Sequence, residues 1–161
     1  MDRLAFTPIG VIHTPYQHLQ DMPIQPAGAK GAVGTIVVEE AYAEGLADIE
    51  GFSHLILLYF FHASKGYELK VKPFLDDQIH GLFATRAPRR PNPIGLSIVP
   101  LLRREKNILH VDCIDVLDGT PLLDIKPFVP EFDAPAATAT GWLEGKANLA
   151  RRLRSDERFR E

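Results

Sequence analysis

Ile94 to Val116 reads IGLSIVPLLRREKNILHVDCIDV. Two β-rich runs, Ile94 to Arg103 and Ile108 to Val116, meet through Lys106-Asn107. Such runs around a short polar link predict consecutive strands. Similar segments lie on either side. Upstream are Phe6 to His13 (FTPIGVIH), Gly34 to Glu39 (GTIVVE), Ser53 to Phe61 (SHLILLYFF) and His80 to Thr85 (HGLFAT). Downstream is Leu122 to Phe128, interrupted at Pro127. Ser53 to Phe61 is apolar on both faces, as expected of a central strand. Glu40 to Ile49 has helical spacing of Ala, Glu and Leu, and Leu143 to Phe159 has helix-forming composition with many charges. Thirteen prolines and twelve glycines leave little room for long helices. The expected fold is mainly β, a single-sheeted β-barrel with short helices and a C-terminal helix. Residues 1–140 are expected to form the barrel, and residues 141–161 a helical extension of the same domain.

The chain has 161 residues, the size of one ordinary domain. Hydrophobic residues make up 45% and charged residues 24%, a globular balance. A formal charge of -3 excludes a strongly basic coat but leaves room for a local basic patch that reads RNA. One cysteine excludes an internal disulfide framework and a cysteine-based zinc cage. Cys113 alternates with apolar neighbours and reads as a packed core thiol. No apolar run reaches the length of a membrane span, and the N-terminus MDRLAFTPIG lacks the apolar core of a signal peptide. A cytoplasmic protein is expected.

No GxGxxG, GxxxxGK[ST] or HExxH occurs, and the six histidines lack metal-ligand spacing. No metal is expected. Three stretches are candidate carriers of chemistry. Phe83 to Ser97, FATRAPRRPNPIGLS, holds Pro88, Pro91 and Pro93, which fix φ and stiffen the segment that carries Arg86, Arg89 and Arg90. A rigid loop with guanidinium forks suits carboxylate or phosphate oxygens, or is a solvated turn. Asp115 to Pro130, DVLDGTPLLDIKPFVP, contains the turn signal Asp118-Gly119. Asp124 and Lys126 follow two apart, hence on one face of a strand. They form either a bland ion pair or a cavity pair in which the carboxylate takes a proton. Pro23 to Gly28, PIQPAG, lies in the long irregular stretch Tyr16 to Lys30 and reads as a simple loop. His62, after the central strand, reads as a hydrogen-bonded structural residue. Trp142 reads as a packing anchor for the terminal helix.

IGVIHTPY (Ile9 to Tyr16), QPAG (Gln25 to Gly28), GFSHLILLYFFH (Gly51 to His62), FATRAPRRPNPIGLS and DGTPLLDIKPFVP occur in this order. Together they resemble the successive motifs of the TsaA-like family (TrmO-like, also YaeB-like) of S-adenosylmethionine-dependent tRNA methyltransferases. The resemblance implies a β-barrel methyltransferase, usually a homodimer, that methylates N6 of threonylcarbamoyladenosine beside the anticodon of tRNA. It implies an S-adenosylmethionine pocket built from Gln25, Pro26, Ala27, His62, Ala63, Arg86 and Leu96, completed by Asp118, Gly119, Thr120 and Pro121. Asp124 and Lys126 fall in its DIKP signature and become catalytic candidates, the former as base and the latter as a cation toward the carbamoyl oxygen or threonyl carboxylate. Ile24 stands where members often have arginine, and Ala63 where a polar residue is frequent.

Two rival readings belong to other classes. One is a nucleotide- or RNA-binding β-barrel without catalysis, for which aromatics interleaved with basic residues would be expected. The other is a methyltransferase of the same fold with a different acceptor.

Overall fold

The computed structural model describes residues 4–136, 139–146 and 148. Among these residues eight strands follow in chain order: β1 (Gly10–His13), β2 (Gly34–Val38), β3 (His54–Phe60), β4 (Lys70–Val71), β5 (His80–Gly81), β6 (Ile94–Glu105), β7 (Ile108–Val111) and β8 (Thr120–Pro127). Six of them form one antiparallel sheet closed in a ring, in the order β1-β2-β7-β6-β3-β8. The ring closes where β1 meets β8, with Gly10 opposite Leu122 and Ile12 opposite Thr120. β4 and β5 form a separate two-stranded hairpin. The helical segments are short: several 3₁₀ turns and a four-residue helix, Pro130–Asp133.

Alternation builds the core. Ile12, Ile36, Val38, Leu55, Leu57, Val99, Leu109, Val111 and Leu122 point inward and are essentially fully buried. Each such side chain contributes roughly 1.5–3 kcal/mol over its exposed state. β3 is the central strand expected, hydrogen-bonded along both edges to β6 and β8.

The differences from expectation sit at element ends. The first strand begins at Gly10 rather than Phe6, because Pro8 has no N–H to give to a ladder. β7 ends at Val111. Beyond it, the Asp112 carboxylate accepts the N–H groups of Gly31 at 2.9 Å and Cys113 at 2.6 Å, and Cys113 takes a φ of 56°. Cys113 is therefore a half-buried turn residue, not a strand residue in the core. Glu40–Leu46 is a 3₁₀ segment, and His80 to Thr85 splits into β5 and the one-turn segment Leu82–Ala84. Of the expected terminal helix, Gly141–Leu143 forms one 3₁₀ turn; most of Leu143 to Phe159 lies outside the described residues. No helix among the described residues is long and apolar enough to cross a membrane.

Candidate functional site

The proline-stiffened loop before β6 holds itself in shape. Thr85 Oγ1 donates to the Leu82 carbonyl at 2.8 Å and accepts the Ala87 N–H at 3.3 Å. Its three arginines divide their tasks. Arg89 pairs with Glu68 at 2.9 Å and donates to the Lys65 carbonyl. Arg90 donates to the carbonyls of Thr85 and Ala87 and lies 5.6 Å over the Phe83 ring. Arg86 donates to Gln25 Oε1 at 3.0 Å. Two guanidiniums thus brace the loop, and the third meets a neutral amide that a carboxylate can replace.

Arg86 and Gln25 border a cavity of about 770 Å³ where β3 ends and β6 begins. Ala27, Tyr59, Phe61, Gly95, Leu96 and Asp115 also line it. A smaller cavity of about 80 Å³ adjoins it and is lined by His62, Ala63 and Thr120. Met22, Phe61, Phe74 and Pro88 belong to both walls. The fold thus gathers Gln25, Ala27, Arg86 and Leu96 around one space and His62, Ala63 and Thr120 around its neighbour. Thr120 Oγ1 lies 3.4 Å from His62 Nδ1. Pro26 opens the turn Pro26–Gly28 between Gln25 and Ala27.

Asp118, Gly119 and Pro121 are not on either described wall. Asp118 Oδ1 accepts the Thr14 N–H at 3.0 Å and lies 3.2 Å from His13 Nδ1. The Thr14 N–H holds the Asp118 carboxyl below the usual carboxylate range, helped by Gln17 and His13. Gly119, at φ 77°, donates to the Ile12 carbonyl. This turn fastens β8 to β1, and glycine suits its left-handed backbone.

Asp124 and Lys126 share a face as the spacing requires. A bulge decides which one. Tyr59 pairs with Leu122 and Leu58 with Asp124, so Leu123 is an extra residue. Past that irregularity Ile125 packs on the core, while Asp124 and Lys126 stand partly exposed, at 43% and 59%. Their charged ends meet at 2.7 Å, and neither lines the cavities described. The geometry is that of the surface ion pair.

Two residues of the large cavity's wall, Tyr59 and Asp115, are joined through Ser97 in a polar line that sequence reading missed. Tyr59, Ser97 and Asp115 are 3%, 1% and 9% exposed. The Ser97 hydroxyl donates to Asp115 Oδ1 at 2.5 Å and lies 2.9 Å from the Tyr59 hydroxyl. Burial pushes the Asp115 carboxyl up to about 7, against the Ser97 hydrogen bond and the Arg86 charge, which favour ionisation. Burial and the neighbouring Asp115 likewise raise the Tyr59 phenol above its ordinary range. The available signal was one carboxylate between Ile114 and Val116 in an otherwise apolar run. Trp142 also borders the cavity. Its indole N–H donates to the Ala84 carbonyl at 2.8 Å, and its ring stacks on His80 at 4.6 Å. Among the described residues no group of three His, Cys, Asp or Glu is arranged to hold a metal ion.

Residues 11–134 match the family described as the tRNA-methyltransferase O N-terminal domain. A Pyrococcus abyssi protein named a probable S-adenosyl-L-methionine-binding protein is 51% identical over 97% of this chain and 85% of its own length. The tRNA (adenine(37)-N6)-methyltransferase of Escherichia coli is 37% identical over 87% of this chain and 64% of its own length. The crystal structure of TrmO from Pseudomonas aeruginosa superimposes with a TM-score of 0.74 at 38% identity, covering 88% of this chain and 63% of that one. The chain thus spans under two thirds of these last two proteins. From the match over most of its length and the shared architecture, the chain belongs to the tRNA-methyltransferase O N-terminal domain family.

Proposed function

We propose that the chain is an S-adenosylmethionine-dependent methyltransferase acting on N6 of threonylcarbamoyladenosine next to the anticodon of tRNA, and that it works as a homodimer in the cytoplasm. One observation carries the reading: residues far apart in sequence, from Gln25 to Thr120, converge on two adjoining cavities. Their combined chemistry fits the methyl donor. The larger cavity falls in the size range of small-molecule sites. Arg86 supplies a fork for a carboxylate, and Phe61, Phe74 and Leu96 supply apolar and aromatic wall. When bound, S-adenosylmethionine supplies an activated methyl group on a positively charged sulfur. Arg86 and Gln25 would anchor it at one end, and His62 and Thr120 would face it from the smaller cavity. The loop braced by Arg89 and Arg90 keeps Arg86 in place before binding, so less ordering is needed when the ligand arrives. Methyl transfer from a sulfonium depends chiefly on aligning donor and acceptor, which a preformed cavity provides.

Titration calorimetry with S-adenosylmethionine tests the binding half. Methylation of tRNA carrying threonylcarbamoyladenosine, followed by nucleoside mass spectrometry, tests the acceptor. A second reading, a binding module without catalysis, is favoured by the names of the Pyrococcus abyssi and Archaeoglobus fulgidus relatives, which specify S-adenosyl-L-methionine binding alone. Binding without any methylated nucleoside would select it. Light scattering tests the dimer, and a monomeric mass at working concentration would remove that part of the proposal.

A further inference from the structure

The line Tyr59–Ser97–Asp115 is not what a core built for stability alone calls for. Three polar groups sit where the rest of the core is aliphatic, and replacing buried charge by packed apolar groups is often neutral or stabilising. Ser97 has one hydroxyl proton, and it is spent on Asp115 Oδ1. With Asp115 ionised, the Tyr59 hydroxyl is then the donor to Ser97. Both protons point along the line toward the carboxylate, an arrangement that favours its ionised form. Gly95, directly across from Tyr59, makes room for this line: a Cβ there would lie 2.2 Å from Tyr59 Cε2. The line ends in the wall of the cavity that Arg86 borders.

We propose that Asp115 is the proton acceptor for the nitrogen that is methylated, with Ser97 and Tyr59 as its positioning residues. The inference rests on the methyl-transfer reading above. The balance is complete without a further reactant. The acceptor nitrogen's lone pair forms the new N–CH₃ bond, and the S–CH₃ bond breaks with its electron pair returning to sulfur, which becomes neutral. The N–H bond then breaks, its electron pair restores the nitrogen lone pair, and the proton passes to the Asp115 carboxylate. An amide-like N–H keeps its proton at neutral pH, so a positioned base assists. Burial pushes this carboxyl up to about 7, so that it takes a proton and returns it to water near neutrality. The charged and titratable groups facing it are Arg86 from the loop, Tyr59 from β3 and Cys113 from its own turn.

The test combines a titration of the free protein with kinetics. Carboxyl ¹³C resonances of aspartate-labelled protein, assigned by Asp115→Asn, are followed with pH in the absence of any ligand. Asp115 should titrate near neutrality. Titration in the ordinary carboxylate range overturns the proposal. Single-turnover methylation of tRNA at saturating S-adenosylmethionine should rise with pH through the same inflection. In Asp115→Asn it should fall about 10²-fold or more and lose that inflection, while cofactor affinity by calorimetry stays close to wild type. Tyr59→Phe removes one donor and should move the inflection to higher pH with cofactor affinity unchanged. It also carries the test if Asp115→Asn does not fold. An Asp115→Asn variant that loses cofactor affinity yet turns over normally at saturation makes Asp115 a cofactor ligand and overturns the proposal. Wild-type protein that binds cofactor but methylates nothing overturns the methyl-transfer reading first, and the two failures are thereby distinct.

Discussion

The folded protein should lose stability as the pH rises from about 4 to about 7, and Asp115 should be the cause. Its carboxyl stands at about 7 in the fold against 3.8 for the free group, because burial penalises the charge more than Ser97 and Arg86 reward it. An acid raised in this way holds its proton more tightly when folded. Its contribution is full below about pH 4 and drains away as the pH climbs to about 7. A difference of roughly three pH units corresponds to about 4 kcal/mol. For a domain of this size that is on the order of 10 °C in Tm. Wild type and Asp115→Asn are melted side by side between about pH 4 and 8, and the difference in Tm is plotted. Groups such as Asp76, whose carboxyl His80 and Lys146 hold below its ordinary range, titrate in both proteins and cancel. The variant should gain on wild type steadily as the pH rises, by far the most between pH 4 and 7. A pH-independent difference would refute the reasoning, since it would mean that Asp115 ionises as readily in the fold as in the open chain.

Arg86→Ala should weaken S-adenosylmethionine binding by about 1.5 kcal/mol or more if it holds the carboxylate through charge-assisted bonds. Arg89→Ala, which removes the Glu68 partner instead, should act mainly on the loop's thermal stability; calorimetry and melting on both proteins separate these effects. Gly95→Ala forces a methyl group against Tyr59 and Phe61 and should cost roughly 1–3 kcal/mol in urea denaturation, with the Tyr59–Ser97 contact broken. Asp124→Asn removes a half-exposed ion pair and should change stability by less than about 1 kcal/mol. Single-turnover methylation on the same preparation decides whether the DIKP carboxylate also serves the chemistry: a loss of about 10²-fold would mark it as a base.

The strands were legible because strand pattern is local. Ser53 to Phe61 reads as a buried strand from its own residues, and His54–Phe60 is one, with neighbours on both edges. Errors arose where a single residue ended an element: Pro8 before β1, and Asp112, through its carboxylate, after β7. The end of β7 depends on a hydrogen bond to distant chain, the one from Gly31, which no local window contains. The motifs likewise singled out residue types that suit a ligand, and the fold brings some of them together. Gln25 and Arg86, 61 positions apart, do meet at 3.0 Å.

By itself, then, the sequence determined the β-rich character, the stiffness of the arginine loop and the same-face relation of Asp124 and Lys126. All three follow from φ restrictions and side-chain alternation within a few residues. The tertiary structure decided which face that was. One extra residue at Leu123 turned the pair outward, and only the partner strand reveals the slip. It also decided which of three like arginines meets only a neutral amide at the cavity, by giving Arg89 an acid and Arg90, which borders the cavity too, two carbonyls. It made Asp115 exceptional as well. Closing the sheet buried that carboxylate against Tyr59 and Ser97, and an ionisable group takes its character from the solvent it loses and the neighbours it gains.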